Sequence, residues 1–251
     1  MAIPIHNEAR RGFQASAAAY ERARPGYPQE AIEWLSAQLG LRPGRTVLDV
    51  AAGTGKLTRE LVATGATVLA VEPVPAMRAV LEQVVPDARA MDGTAEVLPV
   101  GDGATDAITV AQAFHWFDVP RALAEFHRAL RPSGRFALIW NRRRLDEPLH
   151  REVSAIIEPY HGDTPSHQRG AWREPVAASE LFAQTGELEV PYEQAVDVDG
   201  LVDRVASTSY IAALPERERD DVLGRVRQLA DGWTEPLRLG YTTEAYVYAG
   251  R

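Results

Sequence analysis

Residues 44–141 alternate short apolar runs with segments of helical periodicity, and this alternation limits the possible fold more than any other feature. Strands are predicted at Thr46–Val50, Thr67–Val71, 88–91, 106–111 and 134–140, and helices at 57–63, Pro75–Val84 and 119–130. Strands separated by helices indicate a mainly parallel sheet with helices on both faces. We therefore predict a doubly wound α/β fold, whose ligands bind beyond the carboxyl ends of the strands.

The flanking segments complete the predicted architecture. An N-terminal helix follows Pro28 and ends at Gly40. After Asn141 we predict helices near 147–158 and 175–184, a strand near 188–196, a helical pair at about 201–214 and 215–230, and a closing strand at 243–248. The sheet would then have seven strands, and the helical pair, within a segment at about 198–233, would form a cap inserted before the last strand.

A glycine-containing loop follows the first strand of this core and contains Gly53 and Gly55. Glycines permit a tight turn and let a ligand approach the backbone. A P-loop for ATP or GTP requires glycine five residues before Gly55, where Val50 stands, and Ser or Thr where Leu57 stands. A dinucleotide fingerprint requires a third small residue, where Thr58 stands, which makes an NAD-dependent oxidoreductase the less favoured alternative.

Two acidic residues accompany this loop. Asp49 precedes it within the first strand, and Glu72 ends the second strand, nineteen residues after Gly53. A carboxylate at the second strand end can accept hydrogen bonds from both hydroxyls of a ribose. These residues alone fit any adenosine-like ligand.

Taken in order, these motifs resemble those of the class I S-adenosylmethionine-dependent methyltransferases, in particular the small-molecule branch called methyltransferase type 11. The resemblance covers roughly residues 44–141. It implies a Rossmann-like core that binds S-adenosylmethionine. The residues that it implies at the cofactor are Asp49, Ala51, Gly53, Gly55, Glu72, Pro73, Met77, Thr94, Ala95, Glu96, Ala111, Gln112 and Ala113.

The N-terminal segment also resembles a pattern of this branch. Residues 1–43 are expected to close over the cofactor, and Tyr20 and Arg24 could contact its carboxylate, since guanidinium groups suit planar bidentate recognition. Residues 142–251 would complete the fold that residues 44–141 begin. For each candidate cofactor residue, Tyr20 and Arg24 included, the alternative is a role in packing or at the surface.

Methyl transfer from a sulfonium is an in-line displacement, so the protein must mainly align the reactants and exclude water. His115, after the fourth strand, is the candidate for a catalytic base or an orienting residue, because histidine titrates near neutral pH. Phe114, His115, Trp116 and Arg142 are the candidates for binding the methyl acceptor. The alternative to an enzyme is a non-catalytic module that binds the cofactor only.

The composition of the chain limits the kinds of ligand and partner that we expect. The formal net charge of −8 argues against broad nucleic-acid binding and favours a small-molecule acceptor. The chain contains no cysteine, and His161 and His167 lack partners at metal-ligand spacing, so we predict no metal site. No apolar run would span a membrane and no secretory signal is evident at the N-terminus, which predicts a cytoplasmic protein without a membrane partner.

Overall fold

The computed structural model describes residue 17 and residues 20–251, and these residues form a seven-stranded sheet flanked by helices. The strands are β1 (Thr46–Val50), β2 (Thr67–Val71), β3 (Arg89–Met91), β4 (Thr105–Ala111), β5 (Leu130–Arg143), β6 (Phe182–Val196) and β7 (Leu237–Gly250). Their order across the sheet is β3-β2-β1-β4-β5-β7-β6. The first five strands pair in parallel, and β7 runs antiparallel to both of its neighbours. The predicted fold class is confirmed.

Helices cover the sheet because each has an apolar stripe that must be buried. They are α1 (Gln29–Leu39), α2 (Thr58–Val62), α3 (Pro75–Val84), α4 (Val119–Ala129), α5 (Pro148–Ile157), α6 (Arg173–Ala177), α7 (Val198–Ala206), α8 (Ser209–Ala212) and α9 (Glu216–Ala230). In α1, Ala31, Ile32, Leu35 and Leu39 are buried. Gly40 ends this helix in the left-handed conformation, as its sequence position predicts.

The antiparallel strands differ most from the sequence prediction. The helix predicted near 175–184 is wrong, since α6 ends at Ala177 and β6 already begins at Phe182. The Phe182 ring packs edge-on against Phe136 of β5, with centroids 4.8 Å apart. Pairing with β7 along its length also fixes β6 as a strand. Tertiary contacts therefore override the helical periodicity of this segment.

The segment between β6 and β7 forms a helical cap, as predicted, but its first helix is shorter than expected. The helix predicted at 201–214 is divided into α7 and α8, with Ser207 and Thr208 between them. The Ser207 carbonyl accepts a hydrogen bond from Arg24 instead of continuing the helix. The cap has its own apolar core, in which Leu149 of α5, Leu201 of α7 and Val222 of α9 are buried.

Candidate active site

The glycine loop bends sharply at the carboxyl end of β1. Ala51 and Gly53 both have positive φ, of 56° and 60°. For alanine this conformation costs about 1 kcal/mol. Hydrogen bonds to the neighbouring strand hold the bend in place, because Ala52 N donates to the Val71 carbonyl at 3.1 Å.

The Glu72 carboxylate lies directly against this bend. Its Oε2 accepts a hydrogen bond from Gly53 N and its Oε1 one from Val74 N, each at 2.8 Å. Burial raises the pKa of Glu72 to about 7, although the two backbone donors oppose the shift. The carboxyl group predicted to bind a ribose is therefore poised to ionise near neutral pH.

A cavity of about 140 Å³ opens between the bend, Glu72 and the loop after β4, and we call it the glycine-loop cavity. Its wall contains most of the predicted cofactor residues, namely Tyr20, Ala51, Gly53, Glu72, Pro73, Met77, Thr94, Ala95, Glu96, Ala111, Gln112 and Ala113. Val74, Trp116, Phe117 and Asp118 complete it. A β-carbon built on Gly53 would meet no atom within 4 Å, so the backbone borders open space there.

Two predicted cofactor residues stand behind the cavity wall instead of on it. Asp49 is fully buried and accepts hydrogen bonds from the Thr58 and Thr109 hydroxyls at 2.7 and 2.9 Å. Burial raises its pKa to about 6. A β-carbon on Gly55 would come within 2.8 Å of the Val85 side chain, so this glycine is required for packing, and its predicted role in shaping the cofactor pocket stays a prediction.

A second, larger cavity of about 290 Å³ adjoins the first, and we call it the basic cavity. The sheet edge contributes Gln112, His115, Trp116 and residues 140–143, and the cap contributes Arg204, Thr208, Ser209 and Tyr210. The segment 164–169 and residues Tyr20, Arg24, Pro25, Tyr27, Lys56, Glu158 and His161 close it. Tyr20, Gln112 and Trp116 border both cavities.

Of the four residues predicted to bind the acceptor, three line the basic cavity and one does not. Phe114 is fully buried among core aromatic rings, including Phe126 and Phe136, so its predicted acceptor contact is wrong. The chain turns through a short 3₁₀ helix at Phe114–Trp116, which directs the Phe114 ring into the core and the His115 and Trp116 rings toward the basic cavity. Sequence alone could not tell which ring would be buried.

His115 and Arg142 are held in specific protonation and pairing states. Burial, followed by the nearby His167 and Arg24, lowers the pKa of His115 to about 3. Its imidazole is therefore neutral at physiological pH. Arg142 forms an ion pair with Glu244, which neutralises the charge of its guanidinium group.

Sequence reasoning missed a histidine–carboxylate pair, formed by His167 on the wall of the basic cavity and Glu244 behind it. His167 Nε2 lies 2.7 Å from Glu244 Oε2, and its ring stacks on Trp140 with centroids 4.2 Å apart. Although burial raises the pKa of Glu244, its hydrogen bonds from His167 and Arg142 bring it down to about 2. His167 and Glu244 are 77 residues apart, and they meet because the His167 ring stacks on Trp140 of β5, which lies opposite Glu244 of β7.

Arg24 lines the basic cavity and not the glycine-loop cavity. Its Nε and Nη2 donate to the hydroxyl and carbonyl oxygens of Ser207, at 3.1 and 2.8 Å. The predicted contacts of Tyr20 and Arg24 with a cofactor carboxylate stay predictions. Phe13, part of the same N-terminal pattern, lies outside the described residues.

Comparison with known proteins agrees with this geometry. Residues 48–138 match the family model described as a methyltransferase domain. A Mycobacterium tuberculosis protein named as a methyltransferase is 43% identical over 219 residues, which are 86% of this chain and 84% of that protein. The chain is a class I S-adenosylmethionine-dependent methyltransferase.

Solved structures of methyltransferases share its fold. One, named as a methyltransferase from an antibiotic biosynthesis pathway of Anabaena variabilis, superposes with a TM-score of 0.62 at 19% identity, covering 91% of this chain and 98% of that one. Geranyl diphosphate methyltransferase, solved in complex with S-adenosylmethionine, gives 0.51 at 15% identity, covering 88% and 84%. None of the helices in residues 20–251 is long and apolar enough to cross a membrane.

Proposed function

We propose that this methyltransferase binds S-adenosylmethionine in the glycine-loop cavity and transfers its methyl group to a small molecule held in the basic cavity. One observation carries the proposal: the two cavities adjoin at the carboxyl edge of the sheet and share Tyr20, Gln112 and Trp116 as walls. A donor in one cavity and an acceptor in the other could bring their reacting ends together beside these shared residues.

The residues of the glycine-loop cavity fit the cofactor. Glu72 presents a carboxylate that can accept from ribose hydroxyls, and Gly53 leaves room where a side chain would stand. Met77, Ala95 and Phe117 offer apolar surface for an adenine ring. When bound, S-adenosylmethionine supplies an electrophilic methyl group on a sulfonium.

The protein's own contribution is alignment and exclusion of water. The cap and the segment around His167 cover the basic cavity, and Trp116 borders both reactants. The lowered pKa of His115 favours an orienting role over that of a base, because a histidine with a pKa of about 3 is a weak proton acceptor near neutrality. A neutral imidazole can still form a hydrogen bond with the methyl acceptor, either as donor or as acceptor of that bond.

The size and enclosure of the basic cavity favour a small acceptor. Its volume of about 290 Å³ suits a metabolite, and small-molecule sites are typically concave pockets of this order. The net charge of −8 opposes the docking of a nucleic acid. A cytoplasmic location and the absence of nucleic-acid and membrane partners stay predictions.

A pair of glycine variants tests cofactor binding. Gly53 and Gly103 have nearly the same φ, 60° and 58°, and an added β-carbon meets no atom within 4 Å at either. Substitution by alanine should therefore lower the stability of both similarly, by about 1 kcal/mol. We expect only Gly53→Ala to weaken S-adenosylhomocysteine binding in calorimetry, by roughly tenfold or about 1.4 kcal/mol. Equal affinities in both variants would contradict this site.

Transfer itself is tested with radiolabelled S-adenosylmethionine and a panel of small carboxylic acids, phosphates, phenols and amines. The proposed enzyme should label at least one acceptor, and Gly53→Ala should lose this activity while Gly103→Ala keeps it. A cofactor that binds but is never consumed would favour the non-catalytic module instead.

A further inference from the structure

We propose that the methyl acceptor is an anion whose carboxylate or phosphate oxygens bind Arg24, Arg143 and Arg204, which we call the arginine cluster. The proposal rests on the proposed function and narrows the class of its acceptor. The three side chains line the basic cavity but not the glycine-loop cavity. They are thus separate from the surface assigned to the cofactor.

Three distant segments bring the cluster together. Arg143 ends β5, where it lies opposite Tyr241 of β7. Arg204 of α7 donates from Nε to the Tyr241 hydroxyl at 3.2 Å. Arg24 is tied to Ser207, the residue directly after α7, through its Nε and Nη2. The guanidinium groups of Arg24 and Arg204 are therefore positioned by hydrogen bonds to neutral groups, and Arg143 is positioned by the pairing of its strand with β7.

No carboxylate neutralises these charges. Among the residues that the structure describes, no Asp or Glu forms an ion pair within 4.0 Å of any of the three arginines. On the same cavity wall Arg142 pairs with Glu244 and Lys56 with Glu21, whereas the exposed Arg169 donates to the Gly162 carbonyl at 3.0 Å. Among the described residues that line the cavity, Glu158 alone carries a carboxylate, and it is exposed. Within the described part of the chain, the three partly buried arginines of the cluster therefore have no counter-ion.

The positive charges of the arginine cluster lower the pKa values of one of its own members and of a neighbouring histidine. Burial, followed by the charge of Arg204 and more weakly that of Arg143, lowers the pKa of Arg24 to about 10. After burial, the charges of Arg143 and Arg204 also lower the pKa of His150, to about 4. Partly buried cations that repel one another are costly unless a bound anion compensates them. Guanidinium groups bind carboxylate and phosphate oxygens with charge-assisted hydrogen bonds.

The position of the cluster also suits an acceptor. Its cavity is lined by Gln112 and Trp116, which also line the glycine-loop cavity. An anionic group bound to Arg143 and Arg204 would fix one end of a small molecule and leave its other end free to reach this shared wall.

Calorimetry on the full chain saturated with S-adenosylhomocysteine tests the proposal, with succinate and pyrophosphate as probes and neutral succinamide as the control ligand. Succinate, pyrophosphate or both should bind, and succinamide should not. Arg143→Gln and Arg204→Gln should each weaken the binding by roughly tenfold, in the range known for charged hydrogen bonds. Arg225→Gln, an exposed position on α9 outside both cavities, should change nothing. The two probes decide between carboxylate and phosphate.

Separate measurements distinguish the possible failures. Arg143→Lys keeps the charge and should retain more affinity than Arg143→Gln, and thermal unfolding of each variant identifies any loss caused by misfolding. Anion binding that is absent, or is unchanged in both glutamine variants, would overturn the proposal. So would an equal loss of S-adenosylhomocysteine affinity in these variants, since the cluster would then bind the cofactor's own carboxylate. If wild-type protein fails to bind S-adenosylhomocysteine at all, the proposed function fails instead.

Discussion

At the scale of single residues, Glu72 combines a structural and a binding role. It accepts hydrogen bonds from Gly53 N and Val74 N, and the same carboxylate borders the glycine-loop cavity. Its burial raises its pKa to about 7, because few groups other than these donors replace the lost water. Such a carboxyl group gains most from a ligand that donates further hydrogen bonds to its ionised form.

Cofactor binding should therefore depend on pH. Between pH ~6.5 and ~8 we expect the affinity for S-adenosylhomocysteine to rise by about fourfold in total and to level off once Glu72 is ionised. This pH interval lies above the pKa of Asp49, which is about 6. Calorimetry at several pH values measures it, and Glu72→Gln should give weaker binding with a flatter profile. An affinity of the wild type that stays constant across this interval would contradict the ribose role of Glu72.

At the scale of elements, the carboxyl ends of β1 and β4 use the same device. The chain turns left-handed at Ala51 after β1 and at Gln112 after β4, with φ of 56° and 61°. Backbone hydrogen bonds hold each turn to the neighbouring strand, from Ala52 to Val71 and from Gln112 to Ile139. Both strained residues line the glycine-loop cavity, which agrees with the tendency of such strain to occur at functional sites.

The N-terminal segment anchors the glycine loop through Glu21. Its carboxylate accepts from the Thr54 hydroxyl at 2.6 Å and from Arg59 at 2.5 Å, and Lys56 lies 3.4 Å away. We expect Glu21→Ala to lower the free energy of unfolding by about 1–3 kcal/mol, because the buried Thr54 hydroxyl loses its partner. The loosened loop should also bind S-adenosylhomocysteine several-fold more weakly.

Glu33→Ala is the matched control for this prediction. Glu33 is exposed on α1, and its carboxylate accepts from Gln29 at 2.9 Å across one helical turn. Such exposed pairs contribute only about 0.2–0.5 kcal/mol. Chemical denaturation and calorimetry compare the two variants, and similar losses in both would contradict an anchoring role for Glu21.

At the scale of the whole molecule, the sheet and the cap contribute to different cavities. The carboxyl ends of the parallel strands form the glycine-loop cavity, while the cap, the end of β5 and the segment 164–169 enclose the basic cavity. A net charge of −8 surrounds a cavity rich in arginine, so the basic character is local. It therefore indicates a specific ligand site and not a general polyanion surface.

Cofactor binding should stabilise the whole fold. S-adenosylhomocysteine at about 100 times its dissociation constant raises the free energy of unfolding by about 2.7 kcal/mol. For a protein of this size that corresponds to an increase in Tm of roughly 5–10 °C, which thermal unfolding measures. NADH should leave Tm unchanged. The reverse result, a shift with NADH alone, would favour the oxidoreductase alternative.

The sequence by itself determined the sheet and the glycine-loop cavity. The β-loop-α unit from Thr46 to Val62 and the strand end at Glu72 are close in sequence, and parallel pairing brings their carboxyl ends together. Local patterns cannot distinguish a residue that borders a ligand from one that borders the core. For that reason Phe114 was assigned wrongly, and the sequence did not reveal that Gly55 is required for packing, since each lies against neighbours from other elements.

Only the tertiary structure decided the basic cavity. Arg24, Arg143 and Arg204 come from three separate segments, and no spacing in the sequence relates them. The same holds for His167 and Glu244, more than seventy positions apart, which meet because His167 stacks on Trp140 of β5 and Trp140 lies opposite Glu244 of β7. Periodicity reports which face of an element is apolar, whereas the absence of a counter-ion beside a charge depends on every element packed around it.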